Sequence, residues 1–143
     1  MSNPLRVHLV RKIPVPRQAV FEAWLDSKRL VQFMKPAPGM IPTVQKVDPR
    51  VGGGFEFIFL AGETRIPIRG DYTAIDRFDR LAFTWLDPMT LPTSLVTLTF
   101  EEAGPRSTKL TLDHAGFPDQ AACTSHDDGW GQILQSLEHV LAA

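Results

Sequence analysis

With 143 residues, 43% hydrophobic and 22% charged, the sequence has room for one domain over residues 1–143 and the composition of an ordinary globular protein. Fifteen basic side chains offset sixteen acidic ones, and no lysine or arginine run is longer than Arg11-Lys12, which excludes the concentrated basic face that nucleic acid requires. A lone Cys123 excludes an internal disulfide, and no stretch approaches the roughly 18 apolar residues of a membrane span. Met1 to Val10 lacks a signal-type apolar segment, so a cytoplasmic location with no membrane partner is expected.

Leu5, Val7, Leu9 and Arg11 alternate with Arg6, His8, Val10 and Lys12, the two-residue period of a strand. Pro14 and Pro16 end it. Val20, Phe21, Trp24 and Leu25 then form a helical stripe behind the proline, and a second short helix is predicted over Ser27 to Met34, with Leu30, Phe33 and Met34 on one side. The Lys35-Pro36-Ala37-Pro38-Gly39 segment breaks any helix.

Strands and turns follow. Ile41 to Val47 is one strand; Phe55, Phe57 and Phe59 share a face of the next, after Gly52-Gly53-Gly54. Ile66 to Ile75 is a third, with Gly70 as a candidate bulge. Leu81, Phe83 and Trp85 share a face of the following strand, and Val96, Leu98 and Phe100 a face of the next. Thr108, Leu110, Leu112 and His114 form the last. Beyond Gly116-Phe117-Pro118, Trp130, Ile133, Leu134, Leu137, Val140 and Leu141 keep helical spacing within a segment of about Asp119 to Leu141. The order predicts an α+β, helix-grip fold: a curved antiparallel sheet of six or seven strands around a long C-terminal helix, with two short helices after the first strand.

Where such a sheet diverges from its helix, space opens. Trp24, Phe57, Phe59, Phe83, Trp85 and Trp130 are the rings best placed to line it, beside Leu134, with Tyr72 and His114 as its few polar groups. The competing reading is that these rings fill a core.

Val20-Phe21-Glu22-Ala23-Trp24, Val47-Asp48-Pro49-Arg50-Val51-Gly52-Gly53, Leu81-Ala82-Phe83-Thr84-Trp85, Thr108 to His114 with Gly116-Phe117, and His126-Asp127-Asp128-Gly129-Trp130 occur in this order. Together they resemble the bacterial family named after the activator of heat-shock protein 90 ATPase, within the START-like (SRPBCC) superfamily. The resemblance implies the helix-grip fold already read from the periodicity. It also brings in a chaperone-partner role, although the additional amino-terminal domain of the eukaryotic co-chaperone is not expected here. Similar sequences often carry a tryptophan pair where this chain has Phe33-Met34.

Other chemistry finds little support. The 52–54 glycines precede a strand rather than a helix and have no Lys-Ser/Thr pair, so they make a turn, ordered by Asp48 and Arg50, and not a phosphate loop. His8, His114, His126 and His139 show no helical ligand spacing, and neither a metal nor another cofactor is expected. Asp113 and His114 point to opposite faces and do not make a base pair of catalytic type. His126 and Asp127 are read as capping or packing groups near the start of the last helix, and Gly129 as a point of close helix–sheet contact. The expected function is binding of a small hydrophobic or amphipathic molecule, with no catalytic residue assigned. An enzyme working in the same cavity and a chaperone-ATPase-activator-like partner domain are the alternatives, and a homodimer is compatible with each.

Overall fold

The computed structural model describes residues 5–88 and 91–142. Its elements run β1 (Arg6–Ile13), α1 (Arg17–Ala23), α2 (Ser27–Phe33), β2 (Ile41–Val47), β3 (Gly54–Ala61), β4 (Thr64–Asp76), β5 (Arg80–Asp87), β6 (Leu91–Gly104), β7 (Ser107–Ala115) and α3 (Gln120–Ala142). The seven strands form one antiparallel sheet in the order β1-β7-β6-β5-β4-β3-β2. From β2 to β7 each strand pairs with its successor, as tight turns dictate. β1 alone pairs out of sequence, with β7, so α1 and α2 carry the chain from one sheet edge to the other. The helix-grip reading holds, with seven strands.

The short helices are explained by their ends. Pro16 precedes α1, and Asp26 caps α2 by accepting the Lys28 amide at 2.9 Å. α1 buries Phe21 edge-on to Phe100 at 5.0 Å and to Phe78 at 5.5 Å. α2 buries Leu30 and Phe33, and the Phe33 ring meets Trp24 edge-on at 5.0 Å, which packs α2 firmly against the end of α1.

Register places Phe57 opposite Ile68, Phe83 opposite Val96, and Val96 opposite His114, one continuous face. This is the concave face, and α3 lies in it, burying Trp130, Ile133, Leu134 and Leu137. Leu137 has no exposed surface. Leu137→Ala is expected to destabilise the protein by about 2–5 kcal/mol, through lost transfer energy and an unfilled void. Urea unfolding measures it; a change under about 0.5 kcal/mol, the size of a surface substitution, would mean that α3 is not gripped by the sheet.

Two glycines differ from their sequence reading. Gly70 is not a bulge: the β4–β5 irregularity falls between Tyr72 and Ala74. A Cβ on Gly70 would lie 1.8 Å from the Thr84 carbonyl oxygen, while the next amide, Asp71 N–H, is taken by Thr84 Oγ1 at 2.8 Å. The glycine therefore serves a close approach of two backbones. Gly129 makes room for the loop, not the sheet: its Cβ would meet Pro36 Cβ at 3.2 Å. The 52–54 turn is as expected, with Gly52 at φ +88° and Arg50 Nε 3.0 Å from the Asp48 carboxylate.

Candidate functional site

Between the β3–β5 end of the sheet and α3 lies an open cavity of about 340 Å³. Phe59, Ile66, Ile68, Trp85 and Asp87 form its sheet side. Ser125, His126, Asp128, Gly129, Trp130 and Ile133 form its helix side, and Pro36, Ala37 and Met40 its lip. The volume is in the range of small-molecule clefts, and apolar side chains dominate. Gly129 shapes the lip, because its missing side chain lets Pro36 settle onto the helix.

The sequence-derived candidates divide into four places. Phe59, Trp85 and Trp130 line the cavity. Trp24, Phe57, Tyr72 and Phe83 instead gather with Trp85 around a gap of only about 10 Å³. Ring contacts explain the small volume: Phe55 lies 4.8 Å from Phe57, 5.6 Å from Tyr72 and 5.3 Å from Phe83. Burial, with Asp48 adding to it, pushes the Tyr72 hydroxyl well above its ordinary range, so it stays neutral. Leu134 is buried on α3 and does not border the cavity.

His114 is the fourth case, fully buried behind the cavity wall. Trp130 Nε1–H donates to its Nδ1 at 2.9 Å, and its Nε2 lies 2.7 Å from Ser94 Oγ. The Ser94 hydroxyl proton goes to the Trp85 carbonyl at 2.8 Å. His114 must then carry its hydrogen on Nε2 and donate to Ser94, so each group in the chain has one role. The relay ties α3 to β5, β6 and β7. Burial, and secondarily His126, push the His114 pKa down to about 3, which keeps the ring neutral. Asp113 points to the opposite sheet face, where Arg6 at 2.5 Å and His8 at 2.6 Å bond its carboxylate. Burial alone would raise this carboxyl, but the His8 and Arg6 hydrogen bonds and charges outweigh it and hold the group below the usual range.

His126, Asp127 and Asp128 do not cap the helix. Asp119 does, its Oδ1 accepting the Ala122 amide at 2.8 Å, because the helix starts well before them. His126 Nδ1 donates to the Ala122 carbonyl at 2.9 Å, and its ring stands 5.4 Å from His114 and 5.1 Å from Phe117 at the cavity wall. Cys123 is buried in the first turn of α3, and burial, with Asp127, raises its pKa, which disfavours the thiolate. Asp87, Ser125, His126 and Asp128 are polar lining groups that the sequence reading did not assign to the cavity, and three of them are titratable. For Asp87 a signal existed, since it continues the Phe83, Trp85 alternation; His126 and Asp128 were read only as groups at the helix amino-terminal region, although the helix start itself was placed within one residue of Gln120. Among the described residues, two indole donors, Trp24 Nε1 and Trp85 Nε1, are buried with no partner.

Among the described residues no group of three His, Cys, Asp or Glu is arranged to hold a metal, and no helix is long and apolar enough to cross a membrane. No curated protein is significantly similar to the sequence. Solved structures are. One protein from Chromobacterium violaceum is 24% identical, with 96% of this chain and 98% of that one covered, at a TM-score of 0.87. The AHSA1 protein from Silicibacter pomeroyi is 27% identical, covering 96% and 97%, at 0.81. An HSP90 activator from Plasmodium falciparum is 23% identical, covering 96% of both chains, at 0.75. The family described as Activator of Hsp90 ATPase homolog 1-like protein matches residues 14–142, nearly the full length over which these elements run. With its helix-grip sheet, its terminal helix and that match, the chain belongs to the Activator of Hsp90 ATPase homolog 1-like family.

Proposed function

We propose that the protein binds a small hydrophobic or amphipathic molecule in the cavity between β3–β5 and α3. The observation that carries this reading is the open, ring-lined space of about 340 Å³, which the well-packed core beside it does not fill. Each Å² of apolar ligand surface removed from water there contributes about 25 cal/mol. Asp87, His126 and Asp128 give such a ligand polar contacts at fixed points. The same reading takes the chain as a single domain at work in the cytoplasm, without nucleic acid.

The uncharged apolar fluorophore N-phenyl-1-naphthylamine tests it. Binding should enhance the dye's emission and quench tryptophan, since Trp85 and Trp130 border the cavity. Ile133→Trp, which puts a large ring into the space, should abolish binding while the protein remains folded by circular dichroism. Unchanged dye affinity in that variant would place the dye elsewhere and remove the case for the cavity.

A second reading, a partner domain for a chaperone ATPase, is favoured by the family description and by the Plasmodium falciparum neighbour named as an HSP90 activator. Val31 and Ile41, 39% and 59% exposed, are apolar residues through which such a partner can be met. Stimulation of Hsp90 ATP hydrolysis by the purified chain would establish it, and a flat titration would dismiss it.

A further inference from the structure

We propose that the cavity selects apolar molecules that carry a hydroxyl group, whose hydrogen bond His126 Nε2 accepts. This inference rests on the cavity reading above and adds the polar group that the ligand must bring. The half-buried His126 ring borders the cavity, and its Nδ1 stands 2.9 Å from the Ala122 carbonyl, one turn back along α3. A carbonyl only accepts, so the ring hydrogen sits on Nδ1 and the neutral imidazole keeps its lone pair on Nε2. Nδ1 is turned to the helix backbone; the nitrogen left to the cavity is Nε2.

No neighbour takes up that lone pair. The His114 ring, at 5.4 Å, has both nitrogens engaged, Nδ1 with Trp130 and Nε2 with Ser94, and the Phe117 ring, at 5.1 Å, offers no donor. Among the described residues His126 Nε2 has no hydrogen-bond partner. The two rings and the Ala122 bond also hold the imidazole in place, because turning it over would put a carbon against the carbonyl. The acceptor is therefore ordered before any ligand arrives, which lowers the cost of binding. His126, Trp130 and Ile133 recur at i, i+4 and i+7 on α3, one helical stripe, and all three border the cavity. A hydroxyl at Nε2 leaves its apolar body against that stripe, opposite Phe59 and Trp85 on the sheet side. An ether or ketone oxygen brings only a second lone pair to the same nitrogen and gains no bond there.

The test uses two isomers, n-octanol and n-heptyl methyl ether, each displacing N-phenyl-1-naphthylamine at about pH 8, where histidine is neutral. They have the same atoms, and only the alcohol donates a hydrogen bond. Octanol should displace the dye at a concentration about fivefold below that of the ether, equivalent to roughly 1 kcal/mol, the net size of a neutral hydrogen bond. His126→Phe keeps a ring against Phe117 and removes the acceptor, so it should erase the octanol preference and leave displacement by the ether nearly unchanged. Long-range proton–nitrogen correlation spectra of the wild-type chain need no variant to fold. They should show the His126 hydrogen on Nδ1 and an Nε2 signal that octanol shifts and the ether does not. Equal displacement, a preference for the ether, an octanol preference that persists in His126→Phe, a hydrogen on Nε2, or an Nε2 signal that octanol leaves unmoved overturns the hydroxyl proposal while leaving the cavity reading intact. If the wild-type chain binds neither the dye nor either isomer, the cavity reading itself fails and this inference with it.

Discussion

Phe83→Ala is expected to destabilise the protein by about 3–5 kcal/mol and to leave ligand binding in the cavity nearly unchanged. The Phe83 ring is 5.3 Å from Phe55, 6.3 Å from Tyr72 and 6.2 Å from Trp85, and the gap beside it measures about 10 Å³. Its removal takes away apolar burial and leaves a void that stiff neighbouring rings cannot collapse into. The void is walled off from the ligand cavity by Trp85, which borders both. Chemical denaturation gives the stability change, and dye titration of the folded variant gives the binding. A loss under about 1 kcal/mol combined with a large gain in ligand volume would show instead that the two spaces are one. Phe59→Ala is the contrasting variant, since Phe59 borders the cavity itself and its loss should change dye affinity directly.

Acid should weaken the fold through His114. An unfolded histidine titrates near 6.5, while in the folded chain burial, with His126 adding to it, pushes His114 down to about 3. Above the unfolded value both states are neutral there and the residue imposes no pH dependence. Below it the unfolded chain takes up a proton that the folded chain refuses, so stability falls as pH falls, by roughly 1.4 kcal/mol per unit towards about 3. The loss reaches several kcal/mol before the folded ring protonates. When it does, the new Nδ1–H faces the Trp130 indole N–H, and the bond that anchors α3 to the sheet is replaced by a repulsion. Urea midpoints between about pH 6.5 and 5.5 measure the effect where most carboxylates are still ionised. His114→Gln should be less stable at neutral pH and should have the flatter slope. Equal slopes in the two proteins would mean that His114 is protonated in the fold at its ordinary pKa.

The sequence by itself determined the element order and the buried faces. Alternation in Phe55, Phe57 and Phe59, in Leu81, Phe83 and Trp85, and in Val96, Leu98 and Phe100 assigned one side of each strand to the interior, and α3 was legible from Trp130 to Leu141 through its 3.6-residue stripe. These are local properties, set by which side chains avoid water. The tertiary structure alone decided which inward rings touch one another and which border open space. Phe57 and Phe59 have the same spacing and the same face, yet Phe57 packs into the ring cluster and Phe59 lines the cavity. The difference comes from the distance between sheet and helix, which sheet curl and the Pro36–Gly129 contact set, and periodicity carries no record of it. The same holds for polarity. His114 and Asp87 both sit at inward positions of strands, but the histidine is enclosed by Trp130 and Ser94, while the aspartate borders the cavity where the sheet and α3 part.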